Sequence, residues 1–179
     1  MLAAGGGLIP GDAGIRRWAL GSRPPPVVAT LRAVTATGTG ITPYLVALAA
    51  GLIAAPALDA GHGRRPMARF ALPVAAFAVW LALGQALRFA LLTVIARPRP
   101  PREDWLTHAS RWSFPSGHTT TTSMAAGLLV LALLARRPPA YRWCVAMAVL
   151  WVAVMGVSRV WPGVHWASDV VGGWFLAAA

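Results

Sequence analysis

The stretch FALPVAAFAVWLALGQAL, residues 70–87, contains no charged side chain. Its Ala, Leu, Val and aromatic residues are interrupted only by Pro73, Gly84 and Gln85. A helix rises about 1.5 Å per residue, so such a stretch covers most of the roughly 30 Å hydrocarbon core of a bilayer. Beyond Arg88 the apolar run resumes to Ala96. In lipid every backbone polar group needs an internal partner, which favours a helix. The sequence therefore predicts a spanning helix near residues 70–96.

Working outward, the same pattern recurs. No charge falls between Arg32 and Asp59, between Arg111 and Arg136, or between Arg142 and Arg159. Further spans are expected near 41–59, 117–135 and 143–159. The expected fold is an all-α, polytopic membrane helical bundle with four clear spans. A last apolar segment, Asp169 to Ala179, is too short to cross, so it ends within the membrane or the chain is cut there. Residues 13–40 alternate Arg16, Arg17, Arg23 and Arg32 with apolar residues around Pro24-Pro25-Pro26. That reads as an interfacial stretch with Trp18 at headgroup level. The expected organisation is an N-terminal segment, 1–40, and a helical membrane domain, 41–179.

Composition supports this reading. The chain has 179 residues, a net charge of +11, 57% apolar residues and only 12% charged residues. A soluble domain would carry about twice that charged fraction. The chain is too apolar for intrinsic disorder. A single Cys excludes a disulfide framework, a Cys-rich zinc site and a CxxC redox pair. Gly5-Gly6-Gly7 and the lack of a basic start argue against a secretory signal. Nucleic-acid binding lacks a basic stripe outside the membrane loops.

Alternating spans sort the connections onto two faces. Gly61–Arg69 and Arg136–Arg142 are short and basic. Arg97–Ser116 and the stretch from Ser158 fall on the opposite face with the N-terminal segment. Trp105, Trp112, Trp161 and Trp166 lie there too, as expected of an aromatic belt.

Three pieces of that face carry chemistry: Arg97-Pro98-Arg99-Pro100, Pro115-Ser116-Gly117-His118, and Ser158-Arg159-x5-His165-x3-Asp169. Arg97, Arg99 and Arg159 are fork-shaped donors suited to phosphate oxygens. Pro115-Ser116-Gly117 reads as a capped helix start, whose free N–H groups favour an anion. His165 and Asp169 are four apart and would share one helical face. A carboxylate on one imidazole nitrogen fixes the tautomer and frees the other. His118 is a second imidazole on another helix. Two His, one orienting Asp and several Arg describe phosphoryl transfer through a phosphohistidine.

These motifs resemble the type 2 phosphatidic acid phosphatase superfamily, with its signature Lys-x6-Arg-Pro, Pro-Ser-Gly-His and Ser-Arg-x5-His-x3-Asp. The second and third parts match in full, and the first at Arg99-Pro100. The resemblance implies His165 as nucleophile, Asp169 as its orienting partner and His118 as the acid for the leaving oxygen. It implies that Arg99, Arg159, Ser116 and Gly117 hold the phosphate. It implies no metal and no cofactor, and a lipid phosphate substrate such as a prenyl diphosphate or phosphatidic acid. It also implies a multi-pass protein of the plasma membrane with an extracytoplasmic active site. The residues show no carboxylate cluster for Mg2+. Charge counting alone favours neither orientation once the phosphate-gripping Arg are set aside.

The sequence departs from the signature at one position. Leu92 stands where the family has Lys, and the chain contains no Lys at all. Arg97 and Arg88 are the candidates to compensate. The competing function is a weak or inactive lipid-phosphate binder of the same fold. A vanadium haloperoxidase, whose site is similar, is disfavoured by the apolar runs.

Overall fold

The computed structural model describes residues 8–21, 23–59, 65–109 and 111–179, the side chain of Pro66 excepted. Gly5-Gly6-Gly7 and Gly61, named above, lie outside the described residues. Within them the fold is all-α, with helices α1 Asp12–Gly21, α2 Pro25–Ala36, α3 Thr42–Leu58, α4 Pro66–Ile95, α5 Gly117–Arg136, α6 Tyr141–Val160 and α7 Ala167–Ala178. A short 3-10 turn, Arg102–Asp104, interrupts the loop between α4 and α5.

The apolar runs of the sequence become helices close to their expected bounds, with one correction. Among the described residues three helices, not four, are long and apolar enough to cross a membrane: α4, α5 and α6. Helix α3 has 17 residues and α7 has 12, and both are shorter apolar helices. Helix α4 reaches 30 residues; Pro66 opens it, where a missing N–H matters least, while Pro73 lies inside it and removes one backbone hydrogen bond.

Helix α5 is the centre of the bundle and packs against α3, α4, α6 and α7. Its inward residues are small or hydroxylated: Thr119, Thr120, Thr121, Thr122, Ala125 and Ala126 are all buried. Small residues let helix backbones approach, the main source of packing where lipid removes the hydrophobic drive. The Thr120 and Thr121 hydroxyls donate to the carbonyls of Ser116 and Gly117 at 2.9 and 2.8 Å. These bonds satisfy the hydroxyls without an outside partner. Ala47, Ala50 and Ala54 of α3 join Leu81, Met124, Leu128 and Ala132 in one core cluster. Gly51 brings α3 onto α4, since a Cβ there would stand 2.8 Å from the Val74 Cα. By contrast, Leu72, Val79, Leu83 and Leu87 of α4 and Leu131 and Leu134 of α5 are exposed. The outward surface is thus apolar, as a bilayer requires.

The N-terminal helices are more than an interfacial fringe. Helix α1 packs on α7 and α2 on α6. Trp18 stays exposed, yet meets Trp161 edge-on at 4.6 Å between ring centroids. Asp12, six residues earlier at the start of α1, is buried. The loop after α4 is also fixed. The Ser113 N–H donates to the Arg97 carbonyl at 2.8 Å. The indole N–H groups of Trp105 and Trp166 donate to the carbonyls of Pro100 and Pro98, each at 3.0 Å. Two of the four tryptophans assigned to an interface belt therefore also hold the Arg-Pro-Arg-Pro turn.

Candidate active site

The end of α6 and the start of α7 bring the first pair together. His165 lies just before α7, and Asp169 is the third residue of that helix. They meet across the helix start rather than along one helical face as the spacing suggested. Asp169 Oδ2 accepts the Trp166 N–H at 2.9 Å, the reach-back bond of a capped N-terminus. The same oxygen lies 3.3 Å from His165 Nδ1. On the far side of the ring, Arg99 Nη1 lies 2.9 Å from His165 Nε2. A guanidinium can only donate, so Nε2 is the acceptor and Nδ1 carries the proton toward Asp169. That is the tautomer a nucleophilic Nε2 needs.

Burial tunes this imidazole. Desolvation lowers the His165 pKa to about 4, outweighing the upward pull of the Asp169 bond. His165 is therefore neutral near pH 7. Burial also lowers Arg99, to about 10, against the upward pull of Asp169. It remains a cation at neutral pH, anchored by the Val164 carbonyl at 2.7 Å and the Arg111 carbonyl at 3.3 Å.

Helix α5 supplies the second imidazole. His118 is its second residue, and its Nε2 lies 3.5 Å from Thr39 Oγ1. Arg159, in the last turn of α6, is buried, with Nη1 3.5 Å from Thr35 Oγ1 and a buried Nε that has no partner among the described residues. His118, His165, Arg99, Arg159 and Gly117 line one cavity of about 500 Å³. Phe89, Leu92 and Trp112 give it an apolar wall, and Arg88 also reaches it. Among the described residues no three His, Cys, Asp or Glu side chains gather to hold a metal ion. The positive charge of the cavity is that of arginine.

Two expected phosphate ligands are placed differently. Arg97 does not face the cavity. It is fully buried, with Nη1 2.7 Å from Asp169 Oδ1 and from Ser168 Oγ, and Nη2 2.7 Å from Asp12 Oδ2. Two carboxylates already occupy its fork, which corrects the reading of Arg97 as a phosphate donor. Ser116 sits at the N-cap of α5 but makes no capping side-chain bond. It is fully buried, its hydroxyl accepts from Thr119 at 3.1 Å, and its N–H donates to the Asp169 carbonyl at 3.1 Å. It ties α5 to α7 and does not line the cavity.

Sequence reading missed Asp12. Besides Arg97, it accepts the Ser168 N–H at 3.0 Å and the Ser168 hydroxyl at 2.7 Å. Burial pushes its carboxyl up, but the two Ser168 bonds and Arg97 together pull it below the ordinary carboxylate value. A carboxylate from α1 thus caps α7 beside the His165–Asp169 pair. The available signal was its isolation: Asp12 is the only acidic residue before Asp59.

The chain is similar to known proteins in sequence and in fold. The PAP2 superfamily model matches residues 73–179. The chain is 26% identical over 115 residues to the undecaprenyl-diphosphatase of Sulfolobus acidocaldarius, covering 59% of this chain and 48% of that one. It is 35% identical over 103 residues to the decaprenylphosphoryl-5-phosphoribose phosphatase of Mycolicibacterium smegmatis, covering 52% of each. The chain thus spans about half the length of these curated relatives. A crystal structure of a transmembrane PAP2-type phosphatidylglycerolphosphate phosphatase from Bacillus subtilis superposes with a TM-score of 0.71 at 25% identity, over 93% of this chain and 78% of that one.

Proposed function

This chain belongs to the PAP2 superfamily, and we propose that it is an integral membrane phosphatase that cleaves a lipid phosphate or diphosphate through a phosphohistidine. The observation that carries the proposal is the two-sided contact of His165. Asp169 takes its Nδ1 side, and Arg99 Nη1 stands 2.9 Å from Nε2, the nitrogen that attacks. A phosphoryl group entering the cavity meets Arg99 and the nucleophile together.

In the first step Nε2 forms a bond to phosphorus as the bond to the leaving oxygen breaks. His118, in its protonated form, gives its proton to that oxygen, and the lipid alcohol or lipid phosphate departs. Charge builds on the equatorial oxygens in the transition state. Arg99, Arg159 and the amide of Gly117 are the donors aimed at it. In the second step water attacks phosphorus and the P–N bond breaks. His118 takes the proton from water, and inorganic phosphate leaves. Each group returns to its starting state. Asp169 stabilises the positive imidazole that forms on the way.

The substrate class rests on two supports. Phe89, Leu92 and Trp112 give the cavity an apolar wall on α4 and its following loop. The relatives are phosphatases of prenyl-linked and glycerolipid phosphates by their names. The headgroup then sits at the membrane interface with its tail against the helices. We place the protein in the plasma membrane with this site on the extracytoplasmic face, as the family resemblance implies. A reporter fused into the Arg136–Arg142 loop tests that orientation, and a reporter active only outside the cytoplasm contradicts it. Purified protein offered a panel of lipid phosphates, with orthovanadate as competitor, tests the activity. Vanadate-sensitive release of phosphate is expected. A folded protein with no turnover on any of them overturns the reading.

A further inference from the structure

We infer that Arg88 supplies the phosphate-binding cation that the chain lacks at position 92, an inference that rests on the phosphatase reading of this cavity. Leu92 lines the cavity wall where the family signature carries Lys. Arg88 lies one helical turn earlier on α4, so the two share a face. Its longer side chain covers that turn and enters the same cavity as Arg99, Arg159, His118 and His165.

Three observations select Arg88 over Arg97. The first is contact. A Cβ built on Gly117 would stand 2.9 Å from Arg88 Nη1 and 3.2 Å from its Cζ. The guanidinium therefore lies close against the start of α5, where free N–H groups favour an anion. Only glycine leaves that space open without displacing it. The second is the lack of a counter-charge. Arg88 forms no ion pair among the described residues, and its buried Nε has no hydrogen-bond partner there. Arg97, by contrast, is shared between Asp12 and Asp169. The third is depth. Arg88 sits seven residues before the end of a helix that crosses the membrane. An ionised side chain inside a span is costly and marks function unless it finds a partner. A bound phosphate is the partner this geometry lacks.

The guanidinium also reaches a smaller adjoining cavity of about 200 Å³ with Gln85, Tyr44, Thr39 and Thr121. Arg88 thus lines both the cavity of His165 and His118 and this smaller space. A fork-shaped donor there can grip two oxygens, where an ammonium offers a point charge.

Orthovanadate inhibition and the KM for dioctanoyl phosphatidic acid, measured on the full chain in detergent, test this. Arg88→Met keeps length and suits a membrane helix. It is expected to weaken both by roughly 10- to 100-fold, the range for hydrogen bonds to a charged group. Arg88→Met with Leu92→Lys is expected to recover most of the loss, because the cation returns at the family position. Leu92→Lys alone, with Arg88 in place, should change either by no more than about twofold, since the cation is already supplied. Unchanged vanadate inhibition in folded Arg88→Met overturns the inference. So does tenfold tightening by Leu92→Lys alone, which decides the matter if Arg88→Met does not fold. Wild-type protein that binds vanadate through Arg88 but turns over no lipid phosphate would sink the enzyme reading and leave this inference standing.

Discussion

Asp169 Oδ2 lies 3.3 Å from His165 Nδ1 and also accepts the N–H of Trp166 at 2.9 Å, so one oxygen both starts α7 and orients the ring before it. The other oxygen is held by Arg97 at 2.7 Å. Fold and chemistry therefore share this carboxylate. Asp169→Asn should lower kcat by at least about 100-fold, because the wrong tautomer becomes accessible. It should also lower thermal stability, because Arg97 loses a buried counter-charge. A variant with near-normal kcat would remove Asp169 from its role.

The buried state of His165 predicts a pH signature. Its pKa in the folded chain is about 4, against 6.5 for the free side chain. The unfolded chain therefore binds more protons between these values, and stability rises with pH there. The contribution of His165 is fully present above about pH 6.5 and is lost as pH falls toward 4. In unliganded protein, NMR of the His165 ring should show neutral imidazole throughout the neutral range. A midpoint near 6.5 would show that burial does not govern the ring.

His118 is separable from the nucleophile by choice of leaving group. His118→Ala should slow a lipid phosphate by roughly 100- to 10,000-fold, the usual range for a lost general acid. With p-nitrophenyl phosphate, whose leaving oxygen needs no proton, formation of the phosphoenzyme should be far less impaired. Equal losses in burst-phase kinetics on both substrates would assign His118 to binding instead.

Asp12 extends the site into the N-terminal segment. Asp12→Asn should cost about 3 kcal/mol or more of stability, since Arg97 and the start of α7 lose a buried charged partner. Asp12 does not line the cavity, so kcat should fall while vanadate inhibition stays within a few-fold. A loss confined to vanadate binding would contradict this placement.

How far the sequence foretold this arrangement depends on the range of the interaction. The charge-free runs marked α4, α5 and α6, because a helix in lipid is a local solution to backbone hydrogen bonding. Length misled at residues 41–59, where the helix stops at Leu58 after 17 residues. His118, His165, Arg99, Arg159 and Gly117 were legible because the motifs place them at helix ends that converge, and they do line one cavity. Arg97 was misplaced because a guanidinium two residues from Arg99 looks identical in sequence. Only tertiary contact with Asp12, 85 residues away, shows that its fork is occupied. Ser116 likewise read as a cap, whereas the close approach of α7 turns it into a strut between helices.

The central claim is that His165 is phosphorylated during turnover. The most direct measurement is rapid acid-free quenching of the wild-type protein with phosphorus-labelled lipid phosphate, followed by peptide mapping. The account predicts an acid-labile, base-stable label on the peptide that contains His165, absent in His165→Ala, which should not turn over. A label on another residue, or lipid phosphate hydrolysis by His165→Ala, would contradict it.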